Sequence, residues 1–247
     1  MRVAVAGGTG LVGKYVVAEL RDTGHTPVVL ARSHGVDLTT GAGLAGKLSG
    51  SDAVIDVANI VTTRRKTAVD FFSRTTGHLI AAARAGGVAH LVTLSIVGSD
   101  EVDFGYYFGK RAQEELVRDS GVPWTVVRAT QFFEFPEPLL NSASPVVMVP
   151  RMLTRPVAAQ DVARTLVEHA VEGPAGMAPE IAGPDQLEMV DMARRIARAR
   201  GRRRLVVPVT LPGKVGKAMT TGGLLPRGEY LRGRRTFDAH LASLRAA

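Results

Sequence analysis

The sequence contains no cysteine among its 247 residues. Disulfides, thiolate nucleophiles, cysteine-ligated zinc and iron–sulfur clusters are therefore excluded. Six scattered histidines show no paired metal-ligand spacing, so we expect no metal site. No apolar run approaches the ~20 residues of a membrane helix. Because Met1 and Arg2 lead directly into a strand pattern without a signal-peptide core, we expect a cytoplasmic protein without a membrane contact.

Acidic residues are scarce in the last part of the chain. From Asp191 onward there are 14 Lys/Arg against 3 Asp/Glu, whereas residues 1–120 hold 13 against 12. Seven arginines lie within residues 194–204. Clustered cations can bind nucleic-acid phosphates, but no reader motif accompanies them, so we expect a small-molecule substrate and no nucleic-acid partner. Two other interpretations of this cluster remain: a solvated surface, and a site for an anionic group of the substrate.

The first half of the chain alternates short apolar strands with helical periods. Small and β-branched residues at Val3–Ala6 precede glycines and then the helical spacing of Leu11–Leu20. Similar strands are predicted at Thr26–Leu30, Ala53–Ala58, His90–Ile96 and Trp124–Val127. Strands that alternate with helices form parallel crossovers. The sequence therefore predicts an α/β fold with a doubly wound parallel Rossmann sheet.

Glycines cluster where the first strand meets the first helix, in Gly7–Gly13. A glycine-rich turn at this position lets the backbone approach a pyrophosphate, and the free N–H groups of the helix start favour the anion. We therefore expect a dinucleotide to contact the residues of this turn, namely Gly7, Thr9, Gly10, Leu11, Val12 and Gly13.

The end of the second strand indicates which dinucleotide binds. An acidic residue there would accept hydrogen bonds from a ribose 2′-hydroxyl, but this chain has Arg32 and Ser33. An arginine pairs with a 2′-phosphate, so NADP(H) is favoured over NAD(H). Asp37 is a candidate acceptor for the adenine amino group, and Ala58 and Asn59 are expected to flank the cofactor.

The later part of the chain loosens this alternation. Val36–Leu38 is a candidate short strand, and Asp161 is predicted to cap a helix that continues to Ala170. We place a seam at Pro145–Pro150. It divides residues 1–150, an NAD(P)-binding Rossmann domain, from residues 151–247, a small C-terminal substrate-binding lobe packed on it.

Two residues of the predicted helix after the fourth strand have a spacing that suits proton transfer. Tyr106 and Lys110 are four positions apart, so their side chains share one helix face. A tyrosine with its ordinary pKa of about 10 exchanges protons poorly at neutral pH unless a cation stabilises the phenolate. Lys110 is the candidate for that cation.

Several segments together carry a family resemblance. They are the glycine turn, the Asp37–Leu38 step, Ser95, Tyr106 with Lys110, Val122–Arg128, Asp161–Ala163 and Ala182–Pro184. With them, nearly the whole chain resembles the atypical short-chain dehydrogenase/reductases of the NAD(P)H-binding, NmrA-like type. The resemblance implies that Lys110 also holds the nicotinamide ribose and that Ser95 polarises a substrate carbonyl. Thr93, on the same strand face, is the alternative hydroxyl.

The resemblance implies an oxidoreductase that transfers hydride to or from a carbonyl or an activated double bond, with Tyr106 moving the proton. Eight of the 13 aromatic residues lie between residues 104 and 135, and Gln131–Phe135 follows a strand end where a pocket would open. This placement favours an apolar or aromatic substrate, although packing of the lobe explains it equally well. Two alternatives remain: a non-catalytic dinucleotide-sensing regulator and a nucleotide-sugar epimerase or dehydratase.

Overall fold

A computed structural model of the chain describes residues 1–246 and contains a central parallel sheet. The strands are β1 (Arg2–Ala6), β2 (Thr26–Leu30), β3 (Ala53–Asp56), β4 (His90–Ile96), β5 (Trp124–Ala129), β6 (Val146–Pro150), β7 (Leu153–Thr154), β8 (Gly176–Met177), β9 (Ile181–Ala182), β10 (Leu187–Glu188), β11 (Leu205–Val209) and β12 (Leu231–Arg232). The central sheet has the order β12-β9-β5-β4-β3-β1-β2, with β8 also paired to β5. Because every pair in it is parallel, the predicted doubly wound α/β fold is confirmed.

Helices cover both faces of this sheet. They are α1 (Leu11–Asp22), α2 (Leu44–Leu48), α3 (Arg65–Ala85), α4 (Gly105–Arg118), α5 (Glu137–Leu140), α6 (Ala159–Glu172), α7 (Met189–Ala199), α8 (Gly213–Thr220) and α9 (Phe237–Ala246). Within residues 1–246, none of these helices is both long enough and apolar enough to cross a membrane.

Strand β4 shows how the sheet divides its two faces. Val92 and Leu94 pack in the apolar cluster that includes α1 and α6, whereas Leu91 packs in the cluster that includes α2 and α3. Side chains alternate across a strand, so Thr93 and Ser95 share the face of Leu91. Both hydroxyls therefore face the side of the sheet on which α3 and α4 lie.

Helices α3 and α4 approach each other closely at a glycine. A Cβ atom on Gly109 would lie 2.8 Å from the Ala68 carbonyl and 2.7 Å from the Phe72 ring. Only a residue without a side chain fits at this crossing. The contact holds α4 against α3, and the side chains that follow Gly109 enter the space between the two helices and the sheet.

A second apolar core, apart from the clusters on the two faces of the sheet, lies beside the carboxyl ends of the strands. It is formed largely by α5, α7, α8, α9 and the parallel pair of β6 with β11. Tyr107 of α4 and Phe133, which follows β5, are also buried in it. The second core thus begins directly against the helix that carries Tyr106 and Lys110.

The chain passes repeatedly between the sheet and the second core. β6 and β11 contribute Val147 and Val206 to the second core, but α6, which lies between them, packs on α1. β9 and β12 then pair in the central sheet. Residues 151–246 therefore contribute to both cores. The boundary at residue 150 stays a prediction, and Ala247 lies outside the described residues.

Two local predictions from the sequence are wrong. Val36–Leu38 is not a strand, because Gly35 has φ +77° and Asp37 accepts hydrogen bonds from the backbone and hydroxyl of Thr39, which bends the chain. Asp161 is not an N-cap, because α6 begins at Ala159 with Ala158 as its cap. The buried Asp161 carboxylate instead accepts N–H bonds from residues 234 and 235.

Candidate functional site

The glycine turn places its backbone against the end of β3. Gly7 has φ +78°, and a Cβ atom there would lie 2.9 Å from the Ala58 backbone. A Cβ atom on Gly13 would lie 2.2 Å from the Gly7 carbonyl oxygen. Neither position has room for a side chain. The turn and Ala58 therefore meet between β1 and β3, where the strand order changes direction and such sheets bind ligands.

The start of α1 has backbone donors available for an anion. Gly10 precedes the helix without a side-chain cap, and its first turn contains no acidic residue. Among the described residues, the N–H groups of Leu11, Val12 and Gly13 find no acceptor. Thr9 beside them is exposed. Because free N–H groups and the helix dipole favour negative charge, the turn fits the pyrophosphate of a dinucleotide.

The segment after β2 carries an exposed cation. Arg32 and Ser33 lie in a short 3-10 turn, and Arg32 makes no ion pair within residues 1–246. Hydrogen bonds from Thr39 lower the pKa of Asp37, and the charge of Arg32 adds to that effect. The Arg32 guanidinium is therefore available to a 2′-phosphate, while one Asp37 oxygen is already occupied by the Thr39 bonds.

Asn59 follows β3 and contacts the predicted catalytic tyrosine. The Tyr106 hydroxyl donates to Asn59 Oδ1 at 2.6 Å. Its ring packs edge-on against Phe72, with 5.7 Å between centroids. Burial raises the pKa of Tyr106 above its ordinary value, so this hydroxyl keeps its proton at neutral pH. The structure thus brings together one predicted catalytic and one predicted cofactor-binding residue.

Lys110 lies deeper than the sequence indicates. Its Nζ donates to the Leu94 carbonyl and to Gln113 Oε1, each at 2.8 Å, and lies 4.4 Å from the Phe72 ring centroid. Burial lowers the pKa of Lys110 to about 8, although the negative charges of Asp56 and Glu114 oppose that shift. Within the described residues, Lys110 and Tyr106 share no hydrogen bond; their catalytic pairing stays a prediction.

Ser95 is not brought beside Tyr106. Its buried hydroxyl donates to Glu114 Oε1, and Glu114 follows Tyr106 by eight residues, about 12 Å along the axis of α4. The alternative hydroxyl of Thr93 is fully buried and has no partner among the described residues. A catalytic role for either hydroxyl stays a prediction.

The sequence did not predict the ion pair whose carboxylate accepts the hydrogen bond of Ser95. Arg128 of β5 donates to Glu114 through Nε at 2.9 Å and through a terminal nitrogen at 2.7 Å, and to Asp100 at 2.7 Å. Glu114 raises the pKa of Arg128 above its ordinary value. Glu114 lies four positions after Lys110, the same spacing that singled out Tyr106, so its inward direction was predictable from the helical period. Its partner was not, because Arg128 lies on another element.

The segment after β5 divides between core and surface. Phe133 is buried and packs against His240 at 5.3 Å between ring centroids, whereas Phe135 is 46% exposed. A cavity of about 70 Å³ lies beside Phe133 and is lined by Glu134 and His240 among others. Burial raises the pKa of Glu134 and lowers that of His240. Packing therefore accounts for Phe133, and Phe135 remains accessible.

The arginines of α7 and of the segment that follows it mostly connect parts of the second core. Arg200 binds the Glu137 carboxylate at 2.8 Å, and Arg202 binds the Asn141 side chain at 2.6 Å. Further ties run from Arg194 to the Val206 carbonyl, from Arg195 to Asp191 and Asp238, and from Arg204 to the Ser144 carbonyl. Intramolecular partners thus account for much of the basic cluster. The expected absence of a nucleic-acid partner stays a prediction.

Sequence comparison identifies the family that this geometry suggests. Residues 7–172 match the profile of an NAD(P)H-binding family. The chain belongs to this family, which confirms the resemblance to the atypical, NmrA-like dehydrogenase/reductases. The family match supports a nicotinamide dinucleotide as the coenzyme, and the matched residues begin in the glycine turn.

Individual relatives include reductases. One relative is the (4-alkanoyl-5-oxo-2,5-dihydrofuran-3-yl)methyl phosphate reductase of Streptomyces griseus, to which the chain is 33% identical over 223 residues. This match covers 81% of the chain and 74% of the relative. An Escherichia coli NADPH-dependent quinone oxidoreductase solved with NADPH superposes with a TM-score of 0.73 at 18% identity, covering 98% and 99% of the two chains. A UDP-glucose-4-epimerase from Stenotrophomonas maltophila superposes with a TM-score of 0.77 at 14% identity, covering 100% and 97%. The two structures share the fold; the sequence relative supports a reductase-like oxidoreductase.

Proposed function

We propose that this protein is an NADPH-dependent reductase that acts on a carbonyl or an activated double bond of a small, largely apolar substrate. The free N–H groups at the start of α1 carry this proposal, because they have no acceptor within the described residues and can donate to a pyrophosphate. The Streptomyces griseus relative, itself a reductase, supports the direction of the reaction. When bound, the reduced nicotinamide supplies the hydride.

Arg32 favours the phosphorylated coenzyme in this proposal. Its guanidinium is exposed after β2 and makes no ion pair within the part of the chain that the structure describes. A planar guanidinium can donate two parallel hydrogen bonds to a phosphate. The 2′-phosphate that distinguishes NADP from NAD therefore has a partner here, and no carboxylate stands in residues 31–33 to repel it.

Tyr106 is the proposed proton donor. Reduction of a carbonyl or an activated double bond adds a proton as well as a hydride, so the donor must be protonated before the reaction. The raised pKa of Tyr106 keeps its proton in place. Asn59 accepts that proton's hydrogen bond at 2.6 Å and so fixes the direction of the hydroxyl until a substrate oxygen or carbon replaces the amide.

The substrate proposal extends to an anionic group. The name of the Streptomyces griseus relative's substrate contains an alkanoyl group and a phosphate ester. In this chain Arg64 and Arg65 begin α3 against the start of α4, where a Cβ atom on Gly105 would lie 3.0 Å from the Arg65 nitrogen. Both arginines are exposed, and the Arg65 guanidinium lies 3.8 Å from the centroid of the Phe108 ring of α4. A phosphate there would meet two cations.

The test is NADPH oxidation with this alkanoyl dihydrofuranone phosphate and with its dephosphorylated alcohol. We expect turnover with the phosphate and a higher KM with the alcohol. Tyr106→Phe should lower kcat by about 100-fold, in the range expected for general acid catalysis, with NADPH affinity within about threefold of wild type. Binding of NADPH without its oxidation by any carbonyl or enone substrate would favour the sensor alternative. Undiminished turnover in Tyr106→Phe would remove the assignment of Tyr106 as proton donor.

The cytoplasmic location stays a prediction.

A further inference from the structure

Three buried polar side chains form a chain beneath the proposed active site. Lys110 and Gln113 extend inward from α4, and Asp56 ends β3. None of the three is more than 5% exposed. A buried charge is costly unless it is paired and hydrogen-bonded. The hydrogen-bond partners of these three side chains therefore indicate what the buried series positions.

The hydrogen bonds of this chain run in one direction. Lys110 Nζ donates to Gln113 Oε1 at 2.8 Å, and Gln113 Nε2 donates to Asp56 Oδ2 at 2.9 Å. An ammonium only donates and an ionised carboxylate only accepts. The two ends therefore fix which way the Gln113 amide faces. The amide links Asp56 to Lys110, which form no direct ion pair with each other in the described residues.

The second oxygen of Asp56 holds the backbone of the coenzyme site. Asp56 Oδ1 accepts the Ala58 N–H at 3.0 Å. The same Ala58 backbone faces Gly7 of the glycine turn, and the next residue, Asn59, accepts from Tyr106. One carboxylate thus contacts both the strand end that carries Asn59 and the amide that holds Lys110.

The groups that face Lys110 come from four elements. Asp56 of β3 and Glu114 of α4 are the negative charges that act on it. The Phe72 ring of α3 and the Leu94 carbonyl of β4 complete its surroundings. Glu114 is already paired with an arginine of β5. Asp56 is therefore the carboxylate that has Lys110 as its cationic counterpart.

We propose that Asp56 and Gln113 are positioning residues of the coenzyme site, which through one buried hydrogen-bond chain fix Lys110 and the Asn59–Tyr106 pair together. The inference rests on the proposed reductase function for its kinetic readout, but its structural readout needs no turnover. Residues 56 and 113 contact neither coenzyme nor substrate in this assignment; they act through Lys110, Ala58 and Asn59.

Wild-type protein gives the first test. The chain has six lysines, and Lys110 is the buried one, because Lys14, Lys47, Lys66, Lys214 and Lys217 are exposed. With lysine labelled by ¹³C at Cε, an NMR titration should show one resonance that titrates at about pH 8 and that disappears in Lys110→Met. Six lysines that all titrate near the ordinary value of about 10.4 would overturn the proposal.

Two variants test the direction of the chain. Asp56→Asn removes the charge and supplies an N–H donor opposite Gln113 Nε2, so the protonated-to-neutral ratio of Lys110 at a given pH should fall by about tenfold, one pKa unit. Asp56→Asn combined with Gln113→Glu returns a carboxylate directly beside Lys110, where it accepts hydrogen bonds from both Lys110 and the amide at position 56, so every donor again has an acceptor. The double variant should bring the ratio back to the wild-type value or above it.

The pH dependence of kcat should change in the same way as the titration of Lys110. In wild type, kcat should fall as the pH rises through the pKa of Lys110 at about 8. The fall should begin at lower pH in Asp56→Asn and return to the wild-type pH in the double variant. If the single variant does not fold and the double variant does, that rescue also supports the ordered chain; if neither folds, the wild-type titration decides.

The outcomes separate this proposal from the proposed function. A Lys110 titration at about pH 8 that shifts in Asp56→Asn, in a protein that oxidises no NADPH, would contradict the reductase function and leave the positioning assignment in place. An unchanged Lys110 titration in folded Asp56→Asn would sink the positioning assignment even in an active reductase.

Discussion

The coenzyme end and the α4 end of the proposed active site are built from different parts of the chain. At the coenzyme end the backbone makes the site: Gly7 and Gly13 meet neighbouring main-chain atoms, and N–H groups at the start of α1 have no protein acceptor among the described residues. At the α4 end the side chains make it, and Tyr106, Lys110 and Ser95 each already bind another protein group.

This difference determines how each end responds to substitution. A backbone site is damaged by added atoms, because the main chain cannot move aside without losing its own hydrogen bonds. A side-chain network is damaged by a removed charge, because the partner is left buried and unpaired. The two ends should therefore fail in different measurements: the first in coenzyme binding, and the second in folding stability and proton transfer.

The largest effect is expected for Gly13→Ala. The added Cβ atom would lie 2.2 Å from the Gly7 carbonyl oxygen, so the turn has to open and the helix start moves away from the pyrophosphate. We expect NADPH affinity to fall by at least about 1000-fold, or ~4.1 kcal/mol, in calorimetry. Gly77→Ala is the matched control, since a Cβ atom at this helical glycine meets nothing within 4 Å. Equal affinities in the two variants would show that the turn is not the coenzyme site.

The next largest effect is expected for Arg128→Met at the α4 end. This change leaves Glu114, which is 1% exposed, without its cation, and breaking a buried pair costs about 3 kcal/mol of folding free energy. Urea unfolding followed by the fluorescence of the one tryptophan, Trp124, measures it. Arg227→Met removes the exposed pair with Glu101 and should cost below about 0.5 kcal/mol. Similar losses in both variants would contradict the contrast drawn here.

The smallest effect is expected for Arg32→Ala. Loss of an exposed guanidinium at the 2′-phosphate should weaken NADPH binding by about tenfold, or ~1.4 kcal/mol, and leave NADH binding unchanged. Arg21→Ala, at the far end of α1, is the control for the loss of one surface charge. If both coenzymes weaken equally in Arg32→Ala, the arginine does not read the 2′-phosphate.

Local patterns made the coenzyme end predictable from the sequence. A strand, a glycine turn and a helix follow one another within residues 2–22, and the physical requirement for glycine lies in the same segment. The wrong strand at Val36–Leu38 shows the limit of this reasoning. The sequence suggested a short strand there, but Gly35 and the Asp37 side chain turn the chain back toward Ala42.

The α4 end was predictable only in part. The four-residue spacing of Tyr106 and Lys110 correctly places both on one helix, but Asp56, whose negative charge acts on Lys110, is 54 positions away. Ser95 is held by a carboxylate 19 positions away. Helical periodicity gives the direction of a side chain and not its partner across the sheet, so each hydroxyl or ammonium was assigned without knowledge of what it binds.

The repeated passage of the chain between its two cores affects how this molecule can be rebuilt. Because β6 and β11 pair across an intervening helix that packs on α1, a chimera that takes its whole second half from a relative would import a foreign covering for the first helix along with the second core. Exchanging specificity between relatives therefore requires at least two crossover points, one on each side of α6.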